Sequence, residues 1–248
     1  MKVFVLVAVL SFVFSFIFAL GGVGSAIALV PILNWIGFPL NQVKPTCLFI
    51  NTLSMVGATI SNIKEKRVNF KIGLPIIITS MVIAPLGAYI STKVPTKAVL
   101  TVFLMFLVFA GSMLIFYRGS KRQTFRTDAP YLILSLIGGF AGFISGLLGV
   151  GGGTLISPLM VFMGYNPKTV AAITALVVPF SSFTGFISYW IMGHVNPALL
   201  VVAGITAYLG GYLGTYFMQK KLKPSTVKRF LGIIVFLLAI KLFFKLIK

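Results

Sequence analysis

Long apolar runs follow one another from end to end of this chain, separated by short polar or basic stretches. They do not alternate with the two-residue period of a half-buried strand or a membrane barrel. Apolar runs of about 18 residues or more mark helices able to cross a bilayer. The pattern predicts long helices over 2–20, 42–63, 70–92, 96–117, 130–147, 167–191, 197–219 and 225–246. Two shorter apolar pieces, near 25–36 and 153–164, stand apart, each directly after a glycine cluster. A piece of about 12 residues makes ~18 Å of helix, short of the ~30 Å hydrocarbon core. It survives at membrane depth only with its ends buried in protein or facing a water-filled cavity. The opening run resembles a signal peptide, but it is long enough to span and has a counterpart further on.

The chain is written twice. Shifted by 127 positions, GVG at 22–24 falls on GVG at 149–151, Pro31 on Pro158, Gly37 on Gly164 and Ser54 on Ser181. Val68 and Asn69 fall on Val195 and Asn196, and Leu86, Gly87 and Tyr89 on Leu213, Gly214 and Tyr216. About a quarter of residues 22–93 is identical without a gap, and such duplication is a recurrent build of secondary transporters. The expected organisation is repeat 1 over 1–117, a basic linker over 118–129 and repeat 2 over 130–248. Each repeat holds four long helices and one short, broken or re-entrant one.

Charge orients the halves. The loop over 64–71 carries Lys64, Lys66, Arg67 and Lys71, whereas its counterpart near 193–196 has no lysine or arginine. Loop 93–97 carries two lysines, and its counterpart over 220–229 carries Lys220, Lys221, Lys223, Lys228 and Arg229. The bias flips between equivalent loops, so the positive-inside rule makes the halves inverted. Inversion needs an odd number of crossings per half; either the short piece supplies the fifth, or one long piece is re-entrant. The linker is then cytoplasmic and both termini external. Lys241, Lys245 and Lys248 fit that scheme badly.

Composition closes off other classes. At 58% hydrophobic and 9% charged residues, against about 25% charged in soluble domains, this is an all-α polytopic membrane protein. The net charge of +19 belongs to topology and anionic lipid rather than to nucleic acid. A single cysteine, Cys47, excludes an internal disulfide and is read as a small packing residue. His194 stands alone, so no catalytic group, metal site or cofactor is expected. The two acids, Glu65 and Asp128, fall in basic loops. Proton and cation transport commonly use intramembrane carboxylates, and their absence from the spans argues against a multivalent-cation carrier.

The glycine clusters are the candidate site. Glycine permits sharp reversals and close backbone approach, and a helix start offers free N–H groups that favour an anion. Two such starts, one from each half, would hold a small anion near the midplane. The candidate substrate-binding residues are Gly22, Gly24 and Ser25 in the first cluster, and Gly151, Gly152, Gly153 and Thr154 in the second. The following helices add Asn51 and Ser54, three apart on one face, and Thr174, Ser181 and Ser182. The competing reading is plain helix packing by small residues and hydroxyls bonded to their own helices. Pro179 predicts a kink or break in helix 167–191.

The ordered motifs carry a resemblance. GGVGSAIALVPIL and GVGGGTLISPLM are followed by GFPL and GYNP, then by VNF and VNP, then by PLGAYI and GYLGTYF. In that order and duplication the chain resembles the TauE/SafE (TSUP) family of sulfite exporters over nearly its whole length. Ser25 and Ala26 stand where Gly152 and Gly153 stand in the second half. The resemblance implies transport of small sulfur-containing anions, such as sulfite or organosulfonates, across the cytoplasmic membrane, with the lipid bilayer as the other partner. An anion channel, or a carrier of another small carboxylate or anion, is the alternative.

Overall fold

The computed structural model describes residues 2–19, 22–116, 125–193, 197–221 and 224–247. These form ten helices and, among the described residues, no strand. The first five are α1 (Lys2–Phe18), α2 (Ala26–Trp35), α3 (Leu40–Lys64), α4 (Phe70–Lys93) and α5 (Thr96–Phe116). The second five are α6 (Tyr131–Leu148), α7 (Gly153–Phe162), α8 (Pro167–Ile191), α9 (Pro197–Lys221) and α10 (Pro224–Ile247). His194, Val195, Asn196 and most of the linker lie outside the described residues. Among the described residues six helices are long and apolar enough to cross a membrane: α3, α4, α5, α6, α8 and α9. Their outward faces are apolar: Val82, Leu132 and Ile191 are each more than two-thirds exposed. That suits contact with lipid rather than water.

Local chemistry sets the helix limits. Asn69 and Asn166 cap α4 and α8 by accepting from the N–H of Lys71 and Lys168. The two short helices end alike. Gly37 (φ 110°) and Gly164 (φ 96°) adopt the left-handed region. Phe38 N–H reaches back to Leu33 O and Tyr165 N–H to Met160 O, each at 3.2 Å. These are Schellman stops, which a residue with a Cβ would form only under strain. Of the kink or break expected at Pro179, there is no break: α8 runs on as one helix through it.

Contacts between helices give their relative directions. Leu48 meets Gly185, Asn51 meets Ser182 and Thr59 meets Ala175, so α3 and α8 are antiparallel. Gly138, Gly142 and Gly146 of α6 press on Ile76, Ser80 and Ala84 of α4, so these two run parallel. Gly73 and Ala84 of α4 meet Leu176 and Gly185 of α8, which is parallel again. α6 and α8 therefore point the same way, and the chain between them has to come back. It does: Arg126 N–H donates to Gly164 O at 3.1 Å and Tyr165 OH to Asp128 O at 2.6 Å. The end of α7 thus lies beside the start of α6. At the far end, Tyr189 OH donates to Gly146 O at 3.0 Å. α7 and its glycine lead-in together retrace the length of α6.

Packing in one half returns in the other. Gly87 of α4 sits on Phe143 O of α6, and the equivalent Gly214 of α9 sits on Phe16 O of α1. Gly149 abuts Lys44, and the equivalent Gly22 abuts Ala171. At these seams backbones touch directly, which glycine permits and which drives helix association where no hydrophobic force acts.

Candidate functional site

Four glycines interrupt the bundle: Gly22 (φ 63°) and Gly24 (φ 82°) before α2, and Gly149 (φ 73°) and Gly151 (φ 74°) before α7. All four lie in the left-handed region, open to glycine without strain. Ser25 and Gly152 are the N-caps of α2 and α7. Neither makes a side-chain cap, so the first N–H groups of both short helices have no intrahelical partner.

The two lead-ins cross at the centre of the molecule. A Cβ on Gly153 would lie 2.5 Å from Gly22 O and 3.0 Å from Val23 O. Between the lead-ins stands Asn51, from the middle of α3. A Cβ on Gly24 would overlap Asn51 Oδ1, and one on Gly151 would overlap Asn51 Nδ2. Asn51 Nδ2 donates to Ser182 Oγ of α8 at 2.9 Å, tying the halves together. Asn51 Oδ1, Ser54 Oγ and Thr154 Oγ1 are buried without a hydrogen-bond partner. An unpartnered buried polar atom costs about 1–3 kcal/mol, and Asn51 Oδ1 bears that cost at the crossing itself. A turned amide would let Ser182 donate to Oδ1 and free Nδ2 as a donor.

The hydroxyls of Ser181, Thr174 and Ser25 are occupied. Ser181 Oγ donates to Val178 O at 3.2 Å and Thr174 Oγ1 to Val170 O at 2.8 Å, with Ser157 Oγ 3.2 Å from the Thr174 hydroxyl. Ser25 Oγ lies 3.1 Å from Ser15 Oγ. The structure therefore gathers Gly24, Gly151, Asn51 and Ser182 directly, with Gly22 and Gly153 in contact beside them. Thr174 and Ser181 are bonded to their own helix. Cys47 is fully buried in the apolar core.

A cavity of about 520 Å³ opens away from this crossing, where α3 begins and α4 and α8 end. Asn34, Asn41, Lys44, Ser91, Thr92 and Tyr189 supply its polar lining. Lys44 is only 4% exposed and hydrogen-bonds to Ser91 Oγ, which donates to Leu147 O at 2.7 Å. A buried lysine in a membrane helix is costly without a partner, and such residues mark function. Sequence reading missed it because Lys44 falls in the first turn of the predicted helix 42–63, where a charge is ordinary at a membrane surface. The available signal was its lack of a counterpart: the equivalent residue is Ala171.

Ten helices, two of them short and glycine-led, meeting over a buried amide and beside a cationic cavity, define a polytopic membrane transporter. The family model described as "Sulfite exporter TauE/SafE" matches residues 7–242, and the chain belongs to that family. It is similar to the "Probable membrane transporter protein YunE" of Bacillus subtilis, at 30% identity over 98% of both chains. It is also similar to the "Probable membrane transporter protein MJ0441" of Methanocaldococcus jannaschii, at 26% identity over 87% of this chain and 86% of that one. "Sulfite exporter TauE/SafE family protein 6" of Arabidopsis thaliana is 31% identical over 41% of this chain and 24% of its own length. No solved structure gives a significant match. The protein is a transporter, not an enzyme.

Proposed function

We propose that this transporter carries small sulfur-containing oxyanions, sulfite or organosulfonates, across the cytoplasmic membrane by alternating access between two inverted halves. The single observation that carries the reading is Asn51, its Oδ1 buried without a partner and its amide set against Gly24 and Gly151 of the two lead-ins. Hydroxyls, a turned Asn51 amide and the free N–H groups of residues 25–27 and 152–154 would donate to the oxyanion. Gly22, Gly24 and Gly151 would let the backbone approach it, while Thr174 and Ser181 would line the wall. The antiparallel run of α3 and α8 supports the inversion, with the linker cytoplasmic and both termini external. The family's name, sulfite exporter, supports the sulfur class.

The test is labelled sulfite flux into proteoliposomes holding the purified protein. Saturable uptake, accelerated by unlabelled sulfite or sulfoacetate on the opposite side, is expected of a carrier. Flux that rises linearly with concentration and shows no counterflow would assign a channel; no flux of any sulfur anion would remove the substrate class.

A further inference from the structure

Lys44 has no acidic partner. The chain has two acidic side chains, and both are taken: Glu65 lies 3.6 Å from Arg67, and Asp128 forms a two-pronged pair with Arg126. Serine is thus the only hydrogen-bonding neighbour the buried ammonium has among the described residues. Two of its three N–H bonds are left for something else. The space beside it is a polar cavity with amides and hydroxyls on its walls and no carboxylate. A buried charge of one sign, facing a hollow without a counter-ion, calls for a mobile ion of the other sign.

The surroundings point the same way. Asn34, on the cavity wall, accepts from Lys245 Nζ at 2.6 Å. Lys241 Nζ sits 4.2 Å from the centre of the neighbouring Trp35 ring. Lys93 and Lys97 fall within the segment whose Ser91, Thr92, Val94 and Thr96 line the cavity. Two of the lysines that fit badly with the positive-inside rule, Lys241 and Lys245, thus lie beside the cavity wall.

Close packing joins the cavity to the crossing of the lead-ins. Gly149 packs on the Cα and Cβ of Lys44, and Gly151 on the Asn51 amide. Lys44 and Asn51 are seven residues apart on one face of α3, about 10 Å along the axis.

We propose that the Lys44 cavity is a binding subsite for a small oxyanion, about two turns of α3 away from Asn51. Only its assignment to sulfur oxyanions rests on the function proposed above; the charge argument does not.

The test compares wild type, Lys44→Arg and Lys44→Met, each shown monodisperse by gel filtration. Binding of sulfite, sulfoacetate and inorganic phosphate is titrated in detergent, and sulfite uptake is measured in proteoliposomes. The half-saturating anion concentration is expected to rise at least tenfold in Lys44→Met, and to stay within about threefold in Lys44→Arg. A third variant, Lys44→Cys with Cys47→Ser, guards against misfolding of the methionine variant. A positively charged aminoethyl thiosulfonate reagent is expected to restore its binding, and a negatively charged sulfonatoethyl reagent to abolish what remains. An unchanged half-saturation in Lys44→Met, failure of both reagents to act, or no anion binding by wild type overturns the subsite. Phosphate binding that depends on Lys44, without any sulfite flux, keeps the subsite and removes the sulfur substrate. Sulfite flux indifferent to Lys44 does the reverse.

Discussion

Asn51 and Ser182, 131 residues apart, share a hydrogen bond of 2.9 Å between α3 and α8, while the residues equivalent to them in the other half are Val178 and Met55. Met55 and Val178 belong to a small apolar cluster with Ala19, Ala58 and Ala175. The duplicated halves therefore build one polar and one apolar face about a common centre. A ligand held there by hydrogen bonds has a preferred side, which a strictly symmetric pair would deny it.

Replacing Asn51 by valine makes the polar face copy the apolar one. The change removes a donor and leaves Ser182 Oγ buried without its partner, a loss of about 1–3 kcal/mol of stability. Anion flux is expected to fall more than tenfold while membrane expression stays within about twofold. Flux per molecule of protein, together with the thermal midpoint, checks both halves of the expectation. Undiminished flux in a well-expressed Asn51→Val protein removes Asn51 from the site.

The lead-in glycines separate two effects that substitution usually mixes. Gly24→Ala and Gly151→Ala each place a methyl group on the Asn51 amide and force a left-handed φ on alanine. Gly37→Ala and Gly193→Ala force the same kind of φ, but their Cβ atoms meet nothing within 4 Å. The second pair measures backbone strain alone, about 1–2 kcal/mol. Thermal midpoints are expected to fall modestly in that pair and further in the first. Anion binding is expected to vanish only in the first.

The parts of this protein legible in its sequence are those written locally. Apolar runs announce helices, and the paired glycine clusters announce breaks, because a left-handed φ leaves its mark at a single position. Gly22, Gly24 and Gly151 were found that way. Other features depend on partners far along the chain. Asn51 shares a helical face with Ser54, but nothing near it names Ser182. Thr174 and Ser181 share a helical face, but nothing in the sequence near them says that their hydroxyls bond to Val170 O and Val178 O. Lys44 reads as a surface charge until α4, α6 and α8 close over it. Pro179 reads as a kink or break, yet α8 runs through it unbroken.

The helix seams should fail differently from the site. A Cβ on Gly87 would overlap Phe143 O, and one on the equivalent Gly214 would overlap Phe16 O. Backbone carbonyls cannot step aside as a flexible side-chain tip can. Gly87→Leu and Gly214→Leu are expected to cut the yield of monodisperse protein at least fivefold. Any protein recovered from Gly87→Ala should still bind anion at the wild-type half-saturation. Normal yield in both leucine variants would show that these seams bear no part of the fold.

The proposed inversion of the halves has a consequence that labelling reads directly. Asn41 and Lys168 occupy equivalent positions one shift of 127 apart, at the starts of α3 and α8, and both are exposed. Because α3 and α8 run antiparallel, those starts lie at opposite ends of the bundle. Phe125 belongs with Lys168, since Arg126 bonds to Gly164 at the end of α7, just ahead of α8. The native Cys47 is fully buried, which keeps the background silent. With an impermeant maleimide, Lys168→Cys and Phe125→Cys are expected to react in inside-out vesicles, and Asn41→Cys in intact cells. Asn41→Cys and Lys168→Cys reacting from the same side would mean parallel halves, and the shared central site would lose its two-fold basis.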